Sequence, residues 1–277
     1  MNPTTVWNKE ALLQSPLFAA LHPVLADLDV TTFPTLQDCN ALLMAQDSPI
    51  AVQNGMPLHF VPQQQGKLSF EAQYEPRCYL TGEVQMRAHN WHDLFNALVW
   101  LTFPATKAAI NARHYRVLTG GGVADAGSSQ RGAVRDVNTL LDESGVIVAC
   151  ADAELAGLLA DFKWRELFWQ RRERVTQSMG FHLLGHGLYE KALHPYVGLT
   201  GQGLLVGVEQ EFFAMTPARQ LERLDRVLAD RLQVRECSLG TRDLSPVPLL
   251  GIPGWSADNN CERYYDNTAY FRPGRRG

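Results

Sequence analysis

The densest mixture of apolar and polar side chains in this chain is found in residues 89–111, HNWHDLFNALVWLTFPATKAAIN. From Trp91 onward the apolar residues recur at three- and four-residue spacing, which predicts a helix with one broad stripe against the core. Asn90 is a suitable N-cap, and Pro104 predicts a break followed by a second helix to about Val117. These two helices are therefore predicted to form the central packing unit. The stripe consists of Leu94, Phe95, Leu98, Val99 and Leu101.

Polar side chains border this stripe. His92 and Asn96 are four residues apart, so they lie one helical turn from each other at its edge. Asp93 falls in the first turn, where a carboxylate interacts favourably with the helix dipole. We therefore take His92, Asp93 and Asn96 as candidate catalytic residues.

A second concentration of histidines follows in residues 181–195, FHLLGHGLYEKALHP. Its apolar start predicts a short strand that turns at Gly185 into a helix beginning near His186. On that helix His186, Glu190 and His194 are spaced four residues apart and share one face. A helix entered directly from a strand is a natural neighbour for the central helix, so we add His186 and Glu190 to the candidate catalytic residues.

Packing of these two helices would bring His92, His186 and Glu190 into one cleft. Two histidines and a carboxylate are typical ligands of catalytic zinc, manganese or iron, so the three residues are the predicted ligands of a divalent transition metal. An open coordination position would activate water for hydrolysis. A separation of the histidine side chains above about 12 Å would exclude the site, because ligand bonds are only about 2 Å long. A metal-free acid/base site using either histidine with a carboxylate needs the same convergence.

Further polar residues are predicted to complete the cleft and to bind the substrate. Residues 135–150 read as two strands joined by a turn, with Asp142 and Glu143 at its tip. Arg135, Asp136 and Arg172 are the candidate substrate-binding residues, because arginine suits an anionic group such as phosphate or carboxylate. The sequence contains no G-x-S-x-G nucleophile elbow. The favoured hypothesis is thus a hydrolase that acts on a small anionic substrate.

The alternative function depends on residues 163–178, KWRELFWQRRERVTQS, which predict a helix with an aromatic core stripe and a basic rim. Aromatics interleaved with arginines also suit a single-stranded nucleic acid. In this alternative the chain is a non-enzymatic adaptor or regulator that binds a protein or RNA, and the polar residues of the central helices form buried hydrogen-bond networks. The arginines of the rim are Arg165, Arg171, Arg172 and Arg174.

A Gly-rich segment, TGGGVADAGSSQRG, occupies residues 119–132. Its three consecutive glycines match neither the dinucleotide-binding pattern nor the Walker loop. The composition predicts a mobile surface loop, with a substrate-gating flap as the alternative. Limited proteolysis is expected to cut this segment before any other internal site.

Composition narrows the class of protein. The chain has 277 residues, 45% of them hydrophobic, so it can bury a sizeable core. A net charge of −4 disfavours general nucleic-acid binding but leaves a local basic patch open. Five cysteines without C-x-x-C argue against a disulfide framework and a structural zinc cluster. No apolar run reaches the roughly 18 residues of a bilayer span and the N-terminus lacks a signal-peptide pattern, so a soluble cytoplasmic protein is expected.

The predicted fold class is α+β, because helices outweigh strands and no regular βαβ alternation occurs. We expect a helix-rich single domain with a small, mainly antiparallel sheet. Residues 1–60 should form a helical region packed on a main domain over residues 61–277. Thr216 and Pro217 predict the start of a long amphipathic helix, and the aromatic C-terminal tail is predicted to wrap the core in extended form. The strands are predicted near residues 68–74, 135–150, 181–184 and 204–208, and the tail anchors are Trp255, Tyr264, Tyr265 and Phe271.

Several segments together resemble one bacterial family, domain of unknown function 3025. These segments are NWHDLFNALVWLTFPATKAAINARH, RDVNTLLDESG, WRELFWQRR, GHGLYEK and the tail pieces LGIPGW, YYDN and FRP. The resemblance covers about residues 70–273 and implies one unit over that span in a cytoplasmic protein of the proteobacterial type. It implies no reaction, so the candidate site residues come from the sequence pattern alone.

Overall fold

Helices dominate the computed structural model, which describes residues 6–120, 137–234 and 239–274. No helix within these ranges is long and apolar enough to cross a membrane. The helices are α1 Lys9–Gln14, α2 His22–Asp27, α3 Leu36–Met44, α4 Tyr74–Thr81, α5 Trp91–Thr102, α6 Pro104–Leu118, α7 over residues 137–144, α8 Ala153–Ala160, α9 Arg172–Ser178, α10 His186–Ala192 and α11 Pro217–Gln233. The strands are β1 His59–Pro62, β2 Glu83–Met86, β3 Gly145–Cys150, β4 Met179–Leu183, β5 Thr200–Gly207 and β6 Leu244–Pro248.

Four of the strands form the main sheet, in the order β4-β3-β5-β6. Strand β3 pairs antiparallel with β4 and parallel with β5, and β5 pairs antiparallel with β6. Strands β1 and β2 form a separate parallel pair. All six residues of β3 are buried, as expected of a strand covered on both faces. The helix-rich α+β class with a small, mainly antiparallel sheet is therefore confirmed.

Helix α5 is buried on all sides rather than along one stripe. Every residue from 94 to 101 is buried, and α2, α3, α6 and α10 all pack against this helix. The predicted stripe is part of the buried set, but it underestimates how far neighbouring helices surround α5. The predicted cap is present, because Asn90 Oδ1 accepts a hydrogen bond from Asp93 N at 3.0 Å.

Two further helices begin at prolines, as the sequence predicts. Helix α6 starts at Pro104, and Asp225 of α11 accepts hydrogen bonds from Ala105 N at 3.0 Å and from Thr106 N at 2.7 Å. The free amide groups at the start of α6 are thus satisfied by a side chain of another helix. Helix α11 starts at Pro217 and packs along α6.

The strand predicted near residues 68–74 is wrong. Residues Phe70–Ala72 form a 3-10 turn and Tyr74–Thr81 form α4, with Pro76 in the first turn, where a missing N–H costs nothing. The helix ends at Gly82, whose φ of 75° is left-handed. A Cβ atom at Gly82 would lie 2.0 Å from Pro57 O, so glycine is required there. Local alternation in this segment indicated a strand, whereas the proline and glycine delimit a helix.

The hairpin predicted over residues 135–150 is also wrong. Residues 137–144 are helical, and only Gly145–Cys150 form a strand. A Cβ atom at Gly145 would lie 2.4 Å from Leu141 O, so this glycine permits a direct change from helix to strand. Asp142 and Glu143 therefore occupy the last turn of α7 and not a hairpin tip.

The two ends of the described chain join the same core. Trp7 and Leu21 belong to the buried cluster that contains α5 and the main sheet, although the predicted boundary at residue 60 stays a prediction. The tail crosses the core through short 3-10 turns between extended residues. Of its predicted anchors, Tyr265 and Phe271 are buried, while Trp255 and Tyr264 pack against the core partly exposed. The Gly-rich segment lies outside the described residues beyond Gly120.

Candidate functional site

Three helices bring the predicted histidines together. Helices α5 and α10 pack side by side, and the last turn of α7 lies next to the start of α10. His92 is in the first turn of α5, His186 is the first residue of α10, Glu190 is one turn later, and Glu143 is near the end of α7. We call His92, Glu143, His186 and Glu190 the histidine cluster.

Two ring nitrogens and one carboxylate oxygen of this cluster face a common point. The Nε2 atoms of His92 and His186 are 3.0 Å apart. Glu143 Oε1 lies 3.9 Å from His92 Nε2 and 3.6 Å from His186 Nε2. His186 is buried, His92 is partly exposed and Glu143 is exposed, so the group opens to the surface on one side.

These separations fit a single metal ion. Nitrogen and oxygen ligand bonds of about 2.0–2.2 Å allow two ligand atoms to be no more than about 4.3 Å apart. All three pairs among His92 Nε2, His186 Nε2 and Glu143 Oε1 lie within this limit. Two histidines and one carboxylate leave further coordination positions for water or substrate.

A carboxylate lies behind each imidazole ring. Glu190 Oε2 is 3.1 Å from His92 Nδ1, and Asp142 Oδ2 is 3.7 Å from His186 Nδ1. Carboxylates in this position orient metal-binding histidines and fix which ring nitrogen carries the proton. Glu190, predicted from sequence as a ligand, contacts the ring nitrogen that points away from His186, whereas Glu143 lies near both Nε2 atoms.

A buried ion pair, formed by Lys107 and Asp142, lies on the interior side of His186. Lys107 of α6 is only 3% exposed, and its Nζ contacts Asp142 Oδ1. Burial alone would raise the pKa of Asp142, but the charges of Lys107 and His186 outweigh it and lower that pKa to about 2. Burial lowers the pKa of His186 to about 4, against the opposing effect of Asp142. His186 is therefore a neutral imidazole at pH 7, the form that binds a metal.

Burial raises the pKa of Glu143, against the opposing effect of the adjacent His92. The negative charge of the neighbouring Asp142 also raises the pKa of Glu143. A cation at the common point would favour its ionised form.

Two glycines permit the close approach of α10 to α7. A Cβ atom at Gly187 would lie 2.4 Å from Glu143 Oε2, and one at Gly185 would lie 2.4 Å from Ser144 N. A larger residue at Gly185 would meet the backbone at the end of α7 and push it away from His186, whereas one at Gly187 would displace the Glu143 side chain. The glycines on both sides of His186 are thus a sequence signal that another segment packs closely here, and in the structure that segment carries Glu143.

The other candidate catalytic residues lie beside the cluster. Asp93 accepts hydrogen bonds from Arg87 N, at 2.7 Å, and from Arg87 Nε, at 2.8 Å. Burial would raise the pKa of Asp93, but these hydrogen bonds outweigh it and lower that pKa. Asn96 is buried and donates to Tyr74 Oη at 2.6 Å. Asp93 therefore fixes Arg87 to the start of α5, and Asn96 joins α5 to the first residue of α4.

Of the remaining predicted residues the structure describes Arg172 and His194, and neither belongs to the cluster. Arg135 and Asp136 lie outside the described residues. Arg172 donates to the backbone oxygen of Asn259 at 3.0 Å, which ties α9 to the tail. The prediction that His194 continues the face of His186 is wrong, because α10 ends at Ala192.

The arginines of residues 163–178 are paired within the protein. The helix itself is confirmed, with a π-helical turn over Glu166–Gln170 ahead of α9. Arg165 contacts Glu262 at 2.7 Å, and Arg171 and Arg174 contact Glu154 at 3.2 Å and 2.8 Å. We call Arg165, Arg171, Arg172 and Arg174 the arginine group.

With this geometry, the candidate site is a surface-open His₂–carboxylate group. The chain belongs to the family described as protein of unknown function (DUF3025), whose model matches residues 58–275. This match confirms the family resemblance seen in the sequence segments. Neither the curated proteins nor the solved structures gave a significant match.

Proposed function

We propose that the chain is a metal-dependent hydrolase whose divalent transition metal is held by His92, Glu143 and His186. The observation that carries this proposal is the convergence of two Nε2 atoms, 3.0 Å apart, with a carboxylate oxygen within 4 Å of both. Such a bound ion polarises a carbonyl or phosphoryl group and lowers the pKa of a coordinated water. Zinc, manganese and iron all accept this ligand set.

In this proposal the residues of the cluster have different roles. His92 and His186 bind through Nε2, and Glu143 supplies the third ligand. Glu190 accepts the Nδ1 proton of His92 and holds its ring in place. Glu190 is therefore a positioning residue here and not the ligand expected from its spacing.

The predicted anionic substrate depended on Arg135, outside the described residues, and on Arg172, which is bound to the tail. In the proposal an anionic group would be recognised first by the metal ion, because Glu143 and Glu190 give the cluster itself a negative charge. Neutral esters and amides therefore belong in the same substrate panel as phosphoesters.

The first test is elemental analysis of protein purified without a metal-affinity tag. We expect close to one zinc, manganese or iron per chain, and loss of the metal in H92A and E143Q. H59A is the matched control, because His59 also lies near a carboxylate, Glu83 at 3.6 Å, but outside the cluster. Metal-free wild type that also fails to bind added zinc, manganese or iron would contradict the proposal.

The second test is hydrolysis of ester, amide and phosphoester panels by metal-loaded protein. Activity should disappear with a chelator and return with the metal, and it should be absent in H186A. Activity that survives complete metal removal would favour the metal-free acid/base site instead. In that case one Nε2–H of the His92–His186 pair donates to the other ring.

The adaptor alternative lacks a comparable observation. It required the arginine group to face a protein or RNA partner. The contacts of Arg165, Arg171 and Arg174 with carboxylates of the same chain account for these side chains without such a partner. Retention of RNA by the wild type and its loss in R171A/R174A would revive the alternative.

A further inference from the structure

Lys107 is unusual among the lysines of this chain in being almost fully buried. It lies on α6, is 3% exposed, and its Nζ is 5.6 Å from the centre of the Trp100 ring. Lysines on helices normally extend their ammonium group to water, because the cost of removing that charge from water is high. The burial of Lys107 must therefore be explained by the groups that its ammonium contacts.

The partner of Lys107 is the carboxylate that faces His186. Lys107 Nζ contacts Asp142 Oδ1, and the other oxygen of the same carboxylate, Oδ2, is 3.7 Å from His186 Nδ1. That distance is longer than an ordinary hydrogen bond, and the buried Nδ1 has no hydrogen bond of normal geometry to any described residue. The backbone oxygen of Asp142 also faces this ring, so the side chain and the backbone of the same residue both lie near it. A shift of less than 1 Å would bring Nδ1 within bonding distance of Oδ2.

Stability is a poor explanation for this buried pair. The cost of removing two charges from water commonly equals or exceeds their attraction, so a buried ion pair is weak support for a stabilising role. A fixed ion pair does, however, hold a carboxylate in one orientation. Here that orientation directs Asp142 Oδ2 at the His186 ring, whose other nitrogen, Nε2, belongs to the proposed metal site.

We infer that Lys107 is a positioning residue for the proposed metal site and that it acts through Asp142. Lys107 holds Asp142 so that Oδ2 accepts the Nδ1 proton of His186, which leaves the Nε2 lone pair directed at the metal. This inference rests on the proposed function, because it assigns Lys107 a role only if His186 is a ligand. It extends the cluster to a chain of contacts from His186 through Asp142 to Lys107.

The same reasoning predicts that the two histidines are supported unequally. Glu190, behind His92, has a side chain that is 50% exposed, so water competes with it for the Nδ1–H group of His92. Asp142, behind His186, has a side chain that is only 14% exposed and is held by a buried ammonium group. Loss of the Lys107–Asp142 pair should therefore weaken metal binding more than E190Q does.

The experiment measures zinc affinity by competition with a chromophoric chelator. The proteins are wild type, K107M, D142N, the double variant and E190Q. Loss of an outer-shell partner typically costs about 10- to 100-fold in metal affinity, and we expect this loss for K107M and D142N. Because Lys107 acts through Asp142, the double variant should bind no more weakly than D142N alone. The absorption spectrum of bound cobalt should also change in K107M, since the orientation of His186 changes.

D225N is the matched control, because Asp225 is another buried carboxylate that contacts α6 but lies outside the cluster. D225N should lower stability and leave zinc affinity unchanged. Wild-type affinity in either K107M or D142N, additive losses in the double variant, or an equal loss in D225N would overturn the inference. Wild type that binds no metal would instead contradict the proposed function. If K107M does not fold, K107Q replaces it in the same comparison.

Discussion

The histidine cluster and the arginine group are both built from charged and polar side chains, but their contacts differ in kind. In the arginine group, cationic side chains point at carboxylates or amides of the same chain, as in the contact of Arg165 with Glu262 at 2.7 Å. In the histidine cluster, two ring nitrogens and a carboxylate oxygen point at one another around a common point. The first set of contacts is complete within the protein, whereas the second would be completed by the metal ion that we propose.

This difference separates a polar group whose contacts are satisfied within the chain from one whose potential ligand atoms converge. Residue type alone does not separate them, because both groups combine ionisable side chains at helix surfaces. Two other properties do separate them: the atoms that face one another, and whether buried charges lie behind them. The arginine group is partly exposed, and two of its members, Arg165 and Arg172, contact the tail. The histidine cluster is instead backed by the buried ion pair of Lys107 and Asp142. The following predictions test this contrast.

The largest expected effect is on metal content. H186A removes one of two nitrogen ligands and leaves Asp142 without its histidine, so stoichiometric metal should be lost. R174A, a change in the arginine group, should retain the wild-type metal content. Inductively coupled plasma mass spectrometry of both proteins, purified in parallel, makes the measurement. Equal metal content in the two variants would remove the functional distinction between the groups.

The second effect is on stability and concerns the tail held by the arginine group. Asn259 is fully buried, and its Nδ2 donates to Leu250 O at 2.9 Å and Ile252 O at 2.7 Å. N259A removes both of these hydrogen bonds, and it also removes the side-chain oxygen that accepts from Arg172, so the free energy of unfolding should fall by about 3 kcal/mol. Zinc affinity should not change.

N260A provides the control for this prediction. Asn260 also accepts a hydrogen bond from Arg172, at 2.8 Å, but it is exposed, so its loss should have little effect. Urea unfolding of the two variants gives the comparison. Equal stabilities for N259A and N260A would show that the tail does not depend on the buried amide.

The third effect is a dependence of stability on pH. Burial lowers the pKa of His182 in β4 to about 4 from an ordinary 6.5. The folded state therefore binds its proton less readily than the unfolded state, so stability is full above pH 6.5 and is lost as pH falls towards 4. H182L should reduce the difference in unfolding free energy between pH 7 and pH 4.5 by on the order of 1–3 kcal/mol. An unchanged pH profile of chemical denaturation would contradict this assignment.

The smallest effect is expected at the surface of the arginine group. Arg165 contacts Glu262 and Asp266 in exposed positions, where water and salt screen the attraction. R165A should leave the Tm unchanged within error at physiological salt. A large decrease that disappears at high salt would show that this ion pair holds the tail more strongly than its exposure suggests.

Local signals in the sequence predict much of the fold and the proximity of two residues of the candidate site. Asn90, Pro104 and Pro217 are caps or helix starts whose effect depends only on the neighbouring backbone, so α5, α6 and α11 were predictable. The proximity of His92 and His186 also followed, because a helix entered from a strand packs on the buried helix. Their Nε2 separation of 3.0 Å satisfies the distance condition set from the sequence.

The rest depended on contacts between distant segments. Glu143 was assigned to a hairpin tip because the Glu-Ser-Gly sequence is a common turn, whereas Gly145 lets α7 run directly into β3. Lys107 gave no signal, because a lysine on a helix is ordinarily a surface residue. Its contact with Asp142 joins α6 to α7, and the sequence pattern of neither helix contains that contact. The same limit applies to Glu190, whose spacing shows the face it occupies but not the ring nitrogen it contacts.

The position of β6 has a consequence for how copies of this chain meet one another. Among the described residues β6 is an edge of the main sheet, paired only with β5. An open edge invites a strand of a second molecule to continue the sheet, which is a common start of aggregation. Two of the five residues of β6, Pro246 and Pro248, have no N–H to offer. Extension of the sheet from one molecule to the next along this edge is therefore discouraged by the covalent structure of the strand itself.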